Sequence, residues 1–379
     1  MPASVARTGD DTDPTRNEIR PAWLAAGGTV AAVYVYFLIF AQFGFLRLLQ
    51  QSAAAPSLKP IMAAMGAGGL AASALVAWLH TEAHGRWWLV ASLGVAGAAA
   101  GLALAMDSTA SCFVAAALTG IGTGGASVAL APLLRRATGA AQLGRCLGWG
   151  TGIAYGTCNL PMFFNAEPRG QAMIAVVAAA LGIVATFGLT PRFGGPTREE
   201  LSRRTLGIGV WTLAFLLLVW LDSAAFYVIQ HTPVLRENTW TGNTQLGVNA
   251  VVHLVAAVVA GWMLDRRWAV GVIIAAALLL GTACLLLGGR EPAGAVVALF
   301  YASGVSLYST ALVYYPALSG RATTAAIVYG VAGWIGSALG ISMAEKLQAI
   351  PTWFLGVVTG PLLLVRFTHR QERGKMNKD

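Results

Sequence analysis

The chain has 379 residues, of which 56% are hydrophobic and only 11% are charged. Soluble domains carry about 25% charged residues, so the composition excludes an ordinary soluble protein. The net charge is +9, but the basic residues flank long apolar segments, so we expect a membrane protein that does not bind nucleic acid.

The N-terminal segment is polar and mixes acidic with basic side chains. A secretory signal peptide would instead be basic and then apolar. We therefore expect residues 1–22 to form a disordered cytosolic tail.

Apolar segments long enough to cross about 30 Å of hydrocarbon follow one another along the chain. Only helices and closed barrels satisfy their backbone in lipid, and Ala and Leu dominate here without the alternating pattern of a barrel. We predict an all-α integral membrane protein. Its twelve predicted spans are residues 23–47, 58–80, 87–106, 109–134, 144–164, 170–190, 206–231, 243–264, 268–288, 293–315, 320–346 and 351–368.

The largest polar interruption, residues 191–205, divides the spans into two groups of six. We interpret it as a cytosolic linker between two six-helix bundles, residues 23–190 and 206–368. Of the 25 Lys and Arg residues, 19 lie in this linker, in the two tails and in the loops after even-numbered spans. By the positive-inside rule, both termini, including the tail at residues 369–379, face the cytoplasm. We expect the protein in the cytoplasmic (inner) membrane.

The two halves resemble each other. Trp78 near the end of span 2 matches Trp262 near the end of span 8, at an offset of 184. A Gly-Arg pair at 144–145 matches another at 320–321, at an offset of 176. Two matches in the same order and at similar offsets indicate an internal duplication.

Six plus six spans, a central linker and one loop motif resemble the major facilitator superfamily (MFS) of transporters. Its loop signature G-x-x-x-D-R-x-G-R is similar to the segment that starts at Gly261, after span 8; the copy after span 2, AWLHTEAHGR, is degraded. The resemblance implies the two-bundle MFS fold and gating loops that close the cytosolic face. The alternative is that these charges only mark the membrane boundary. The residues concerned are Asp265, Arg266, Arg267, Glu82 and Arg86.

Glycines at four-residue spacing form grooves in which another helix can approach closely. Span 5 carries Gly148, Gly152 and Gly156, and span 11 carries Gly336 and Gly340. In the superfamily, spans 2, 5, 8 and 11 form the contact between bundles. The resemblance therefore implies a sliding seam at these glycines, with static packing as the alternative.

Asp222 stands alone in the apolar span 7. A charge at the centre of a membrane helix costs about 3 kcal/mol or more, so such residues are usually functional. At about 1.5 Å per residue, Asp222 lies roughly 21 Å from a cytosolic end near Ile208. Span 8 carries Gln245, Asn249 and His253 on one face, and we predict that the last two bracket Asp222 in depth.

The sequence offers Asp222 no obvious Lys or Arg partner within the membrane. Because burial without a counter-cation favours the protonated acid, we predict that Asp222 binds and releases a proton as its exposure changes. The alternative is a neutral acid hydrogen-bonded inside the second bundle. The other candidates for a substrate and proton pathway are Tyr227, Gln42, Tyr34, Asn159 and Tyr308.

Aromatic rings and amides with few fixed charges suit a small amphiphilic organic solute rather than a phosphorylated one. The leading hypothesis is a secondary transporter that works by alternating access. A non-transporting membrane subunit or assembly factor is a second hypothesis. A transition-metal transporter is a third, because His80 and His84 stand at i and i+4 and Met62 and Met65 lie in the same span.

An enzyme is the least favoured class, since no nucleophile–base motif, phosphate loop or cofactor motif occurs. The four cysteines are scattered without a CxxC pair. We therefore expect no catalytic residue, no cofactor and no resident metal. The expected partners are a small-molecule substrate, the lipid bilayer and protons, and the protein is expected to be a monomer.

Overall fold

The structure, a computed structural model, describes residues 14–52, 57–194, 207–287 and 294–360. Within these ranges, ten helical segments are long and apolar enough to cross a membrane. One of them is broken in the middle, and a further helix begins at residue 352. The architecture is therefore all-α, with twelve principal helices in the described part of the chain.

We number the principal helices α1 to α12 in chain order. Their bounds are Pro14–Gln51 (α1), Leu58–Leu79 (α2), Gly85–Ala103 (α3), 109–138 (α4), 140–159 (α5), Pro168–Phe187 (α6), Ile208–His231 (α7), Asn243–Asp265 (α8), Ala269–Leu287 (α9), Gly294–Ser319 (α10), Ala322–Leu347 (α11) and 352–360 (α12). Short helices Pro161–Phe164 and Pro233–Trp240 follow α5 and α7. We call the end of the molecule where α1 begins the tail side, and the other end the far side.

Helix α1 begins at Pro14 rather than at residue 23. Proline at the first helical position loses no hydrogen bond, because the first N–H groups of a helix have no intrahelical partner. Residues 14–22 are therefore helical, and their assignment to a disordered tail was wrong. Residues 1–13 and the predicted tail 369–379 lie outside the described residues, as does all of the predicted linker beyond residue 194.

Helices α4 and α5 are joined at a single residue instead of by the loop expected at 135–143. Gly139 has φ 67° and ψ 170°, and helical backbone continues on both sides of it. A positive φ is readily adopted only by glycine. A Cβ atom at this position would also lie 3.3 Å from the ring of Phe193. The long basic connection therefore forms the tail-side ends of the two helices.

Helix α5 packs against α8 and α10, and α2 packs against α11, so these contacts join the first six helices to the last six. Gly144 and Gly148 let α5 approach the α8 backbone closely: a Cβ atom on Gly148 would lie 2.5 Å from the carbonyl oxygen of Ala257. A Cβ atom on Gly152 would lie 3.0 Å from Cδ1 of Leu254. The α5 glycines therefore occupy a tight helix contact between the two halves.

The glycines of α11 face a different neighbour. A Cβ atom on Gly336 would lie 3.2 Å from the carbonyl oxygen of Leu216, and one on Gly340 would collide with that of Trp220, both in α7. They therefore serve packing within the second half, and their assignment to the contact between halves was wrong. Close approach of α11 to α2 occurs instead where the Trp334 indole lies over Gly69.

Two helices contain π-helical turns, Tyr36–Gly44 in α1 and Tyr329–Ile335 in α11. Such turns are rare and frequently occur at functional sites. A π-helical turn holds more residues than an α-helical turn, so it shifts which side chains face the same side of the helix. In α1 this segment supplies three neighbouring wall residues of the central cavity, Leu38, Gln42 and Phe43.

Candidate functional site

Asp222 lies in α7 and is 8% exposed. The Tyr301 hydroxyl donates a hydrogen bond of 2.6 Å to its Oδ1 atom, and the Tyr308 hydroxyl donates one to Oδ2. The two tyrosines are seven residues apart on α10 and therefore share one face. Among the residues that the structure describes, no Lys or Arg forms an ion pair with Asp222. Phenol groups, rather than a cation, are its partners.

Asp222 borders a cavity of about 60 Å³. At about 10–15 Å³ for each water molecule, this cavity has room for a few of them. The structure brings together four of the predicted pathway residues at this cavity, from α1, α5, α7 and α8. Its wall consists of Leu38, Gln42, Phe43, Tyr155, Cys158, Asn159, Phe164, Asp222, Phe226, Trp240, His253, Tyr301 and Val305.

His253 reaches the cavity from α8 and is held on two sides. Its Nδ1 atom lies 2.8 Å from the Ser306 hydroxyl of α10. Its ring stacks on that of Tyr155 of α5, with centroids 4.9 Å apart and planes 17° apart. The imidazole thus lies between the two halves.

Hydroxyl groups cross from α5 to α10 beside this stack. Tyr155 Oη lies 2.8 Å from Ser309 Oγ, and Thr151 Oγ1 lies 2.9 Å from Thr310 Oγ1. All four groups are buried. The sequence analysis did not select Tyr155, which stands among the glycines of α5.

Gln245 and Asn249 lie on one face of α8, as their spacing predicts, but they do not line the cavity. Asn249 donates to the carbonyl oxygen of Thr239 at 2.9 Å and accepts from Gln245 at 2.9 Å. These contacts hold the short helix Pro233–Trp240 against α8. The sequence analysis did not predict this short helix, so it assigned both amides to the pathway.

Two predicted tyrosines lie beside the site rather than in its wall. Tyr227 stacks on His231 of its own helix, with centroids 3.9 Å apart. The Tyr34 ring lies 6.3 Å from that of Tyr155, behind the cavity wall. Of the remaining candidates, Tyr308 contacts Asp222 directly, whereas Gln42 and Asn159 border the cavity.

A row of aromatic rings leads to Asp222 from the far side. Successive ring centroids are 5.7 Å apart for Phe164 and Phe43, 5.0 Å for Phe43 and Phe226, 5.4 Å for Phe226 and Trp240, and 5.8 Å for Trp240 and Tyr301. The row ends at the Tyr301 hydroxyl, which donates to Asp222. No sequence signal distinguishes these rings from packing aromatics, because they come from five separate segments.

Asp265, at the tail-side end of α8, contacts the beginning of α5. It accepts hydrogen bonds from the backbone N–H groups of Gly144 and Arg145, at 2.7 Å and 3.1 Å. It also forms an ion pair of 2.9 Å with Nε of Arg145. This contact therefore connects the two halves at the tail side.

The other four predicted gating residues make contacts within one half. The Arg266 guanidinium lies 3.7 Å from the ring centroid of Trp262 on the same helix, and Arg267 is exposed. Glu82 pairs with Arg136 of α4, and Arg86 donates to the carbonyl oxygen of Leu189 at 2.9 Å. Of the five predicted gating residues, only Asp265 contacts the other half in the described part of the chain, so the two copies of the loop motif make different contacts.

The far side has an ion pair between the halves that the sequence analysis did not predict. Lys59 Nζ, in the first turn of α2, lies 2.8 Å from Oε1 of Glu345, near the end of α11. Both side chains are exposed to solvent. In the part of the chain that the structure describes, one inter-half ion pair thus lies at each end of the molecule.

The proposed pair of metal-binding histidines is not on one helical face. Helix α2 ends at Leu79, and residues 80–84 form a turn. His84 Nδ1 lies 2.8 Å from the Thr81 hydroxyl, whereas burial and the nearby Arg136 guanidinium lower the pKa of His80. Met62 and Met65 lie in the far-side turns of α2, at the opposite end of that helix.

No protein-family model matches this sequence, and no curated protein matches it. Solved structures do match. The E. coli fucose:proton symporter FucP has a TM-score of 0.63 at 14% identity, covering 92% of this chain and 98% of that one. The human organic anion transporter MFSD10 has a TM-score of 0.62 at 14% identity, covering 93% and 100%. The proton:xylose symporter XylE has a TM-score of 0.63 at 13% identity, covering 92% and 94%.

These likenesses extend over nearly the whole of each chain. They show that this protein has the MFS transporter fold, as the resemblance in its sequence implied. With ten helical segments of membrane-spanning length in the described residues, it is a multi-pass membrane protein.

Proposed function

We propose that this protein is a secondary active transporter that moves a small organic solute across the cytoplasmic membrane by alternating access. Asp222 is the residue through which a proton gradient drives the solute. The observation that carries the proposal is a buried carboxylate in the wall of a cavity formed by helices of both halves. Both termini and the linker between the halves lie in the cytoplasm.

The fold supports this proposal. Two structural neighbours, FucP and XylE, are described as symporters that move a sugar together with a proton. A carboxyl group that reaches water from one side of the membrane at a time can load a proton on one side and release it on the other. Asp222 has the required position because α5 and α8, which meet between the halves, both contribute to its cavity.

The contacts between the halves support alternation. Asp265 and Arg145 connect α8 to α5 at the tail side, whereas Lys59 and Glu345 connect α2 to α11 at the far side. Rocking of the halves would open one end by separating one pair while the other stays closed. The tail-side contact, with three hydrogen bonds to one carboxylate, is the stronger of the two.

The test begins with a thermal-shift screen of the purified protein against metabolite classes at two pH values. A stabilising solute is then followed in proteoliposomes containing wild type, Asp222→Asn or Asp107→Asn. Asp107 is an exposed acid between α3 and α4 and serves as the matched control. Asp222→Asn resembles the protonated state only, so it should exchange solute but lose accumulation driven by a pH gradient. Accumulation equal to wild type would remove Asp222 from the coupling mechanism.

A protein that no metabolite stabilises and that catalyses no flux would instead support the non-transporting membrane subunit. His253→Gln provides an intermediate case, because it removes a buried imidazole that lies in the same cavity wall as Asp222 and contacts Ser306. This variant should slow uptake and retain gradient-driven accumulation.

A further inference from the structure

The geometry points to an organic cation, an amine or a quaternary ammonium compound, as the solute that binds beside Asp222. This inference rests on the proposed transport function and names the substrate class of the same site. It comes from two properties of the cavity wall, its charge and its aromatic content.

The charge of the wall favours a cation. Asp222 is the acidic residue in the wall, and no Lys or Arg is among the wall residues that the structure describes. An anionic solute would meet a carboxylate without any compensating cation. A cationic solute would supply the positive partner that this buried carboxylate lacks within the described part of the chain.

The aromatic content of the wall favours a cation as well. Six of the wall residues carry Phe, Tyr or Trp rings, and five rings form the continuous row from Phe164 to Tyr301. Aromatic faces attract ammonium groups, by about 0.5–1 kcal/mol at exposed sites and about 2 kcal/mol or more when desolvated. Tyr301 belongs to both parts of the site, since its ring contacts Trp240 and its hydroxyl donates to Asp222.

A polyol fits this wall less well. A bound sugar requires many hydrogen-bond partners, because each buried hydroxyl left without one is costly. Most polar groups of the wall are already engaged within the protein: Tyr155 with Ser309, Tyr301 with Asp222, and His253 with Ser306. The amide nitrogen of Asn159 donates to the carbonyl oxygen of Tyr155. The sugars named for the structural neighbours are therefore not the expected solutes here.

A cation and a proton would compete for the same carboxylate, so a cationic solute would be moved in exchange for a proton, and Asp222→Asn would then lose solute exchange as well as gradient-driven accumulation. Asp222 must be ionised to attract the cation, so lowering the pH should weaken binding. The titratable groups that surround Asp222 are Tyr301 and Tyr308 on α10, His253 on α8, Tyr155 and Cys158 on α5, and Cys284 on α9.

The test compares cations with neutral molecules of the same shape, using the full-length protein and isothermal titration calorimetry. The probes are choline against 3,3-dimethyl-1-butanol, and benzylamine against benzyl alcohol. Each cation should bind with a Kd at least about tenfold below that of its neutral counterpart. Choline does not titrate, so its tighter binding at pH 8 than at pH 5.5 would report protonation of the protein alone.

Variants test whether the preference for cations over neutral molecules arises at the cavity beside Asp222. Asp222→Asn should abolish the preference of the protein for choline over its neutral counterpart. Trp240→Leu should weaken choline binding by about fivefold, whereas Trp78→Leu, at an 81% exposed tryptophan outside the cavity, should not. Equal binding of cations and neutral counterparts, or absence of binding by both cations, overturns the inference. If a sugar or other neutral solute binds instead and is transported through Asp222, the proposed function stands and only the cation assignment fails.

Discussion

Tyr155 of α5 and Ser309 of α10 are joined by a hydrogen bond of 2.8 Å between their side-chain oxygens, and so connect the two halves of the molecule beside the cavity. One helical turn away, Thr151 and Thr310 form a second hydroxyl bridge. The Tyr155 ring also stacks on His253. Any relative motion of the halves must either turn about these bridges or break them, so they are expected to control the rate of alternation.

Tyr155→Phe removes the hydroxyl bridge and preserves the ring stacked on His253. We expect thermal stability to fall slightly, by about 1 kcal/mol, and the rate of solute exchange to change several-fold, because the lost bond lies between the two halves. Exchange in proteoliposomes and thermal unfolding measure the two effects. Thr186→Val is the control, because the Thr186 hydroxyl donates to Gly182 of its own helix. If Tyr155→Phe and Thr186→Val change thermal stability and the rate of solute exchange equally, the bridge contributes to stability alone.

Gly152→Leu should impair transport while the protein remains inserted in the membrane. Even a Cβ atom here would lie 3.0 Å from Leu254 Cδ1 and 3.1 Å from the Leu254 carbonyl oxygen, so a larger side chain forces α5 and α8 apart. Gly94→Leu is the matched control, since nothing lies within 4 Å of a Cβ atom at that position. The measurement is solute uptake by both variants, compared at equal amounts of protein in the membrane. Wild-type uptake in Gly152→Leu would contradict a tight contact during transport.

Asp265→Ala should loosen the tail side of the contact between α5 and α8. The native Cys146 is fully buried one residue from Arg145 and reports this opening. In a background in which the other three cysteines are replaced, we expect N-ethylmaleimide to label Cys146 several-fold faster than in the otherwise identical protein. Arg266→Gln is the control, because the Arg266 guanidinium lies over Trp262 of its own helix. An unchanged labelling rate would mean that Asp265 does not hold this side closed.

Glu345→Lys should open the far side by replacing an attraction to Lys59 with a repulsion. The pair is exposed, so we expect little effect on thermal stability. A cysteine introduced at Gln42, in the cavity wall, should become more reactive to a membrane-impermeant maleimide added at the far side. The double variant Lys59→Glu/Glu345→Lys should return reactivity to that of the Gln42→Cys protein alone. Failure of the reversed pair to do so would show that the charges act independently.

Orientation is tested by labelling from outside the cell. A cysteine at Asn243, the first residue of α8, should be labelled by an impermeant reagent, whereas one at Ser202 should be protected. The expectation follows from the distribution of basic residues, since segments rich in Lys and Arg stay in the cytoplasm. The opposite labelling pattern would reverse the assignment of both termini.

The ends of most helices could be predicted from the sequence because the transition from lipid to water is a strong local signal. Helix α8, for example, was predicted at residues 243–264 and occupies Asn243–Asp265. The importance of Asp222 could also be inferred from its sequence neighbours, since one carboxylate in an apolar span requires a protein partner. The start of α1 was misplaced because polar residues that lengthen a helix beyond the membrane leave no hydropathy signal.

The membrane class, the helix order, the MFS resemblance and the acid at the centre thus follow from the order of residues alone. Packing in the folded chain sets which way each helix faces: Gly340 packs on α7, Asn249 holds the short helix, and Glu82 pairs within its own half. The physical reason is that lipid and protein interior are both apolar, so hydrophobic periodicity does not distinguish the two faces of a membrane helix. Rotation about each helix axis is set by packing against its neighbours, and the rings that surround Asp222 come together only through that packing.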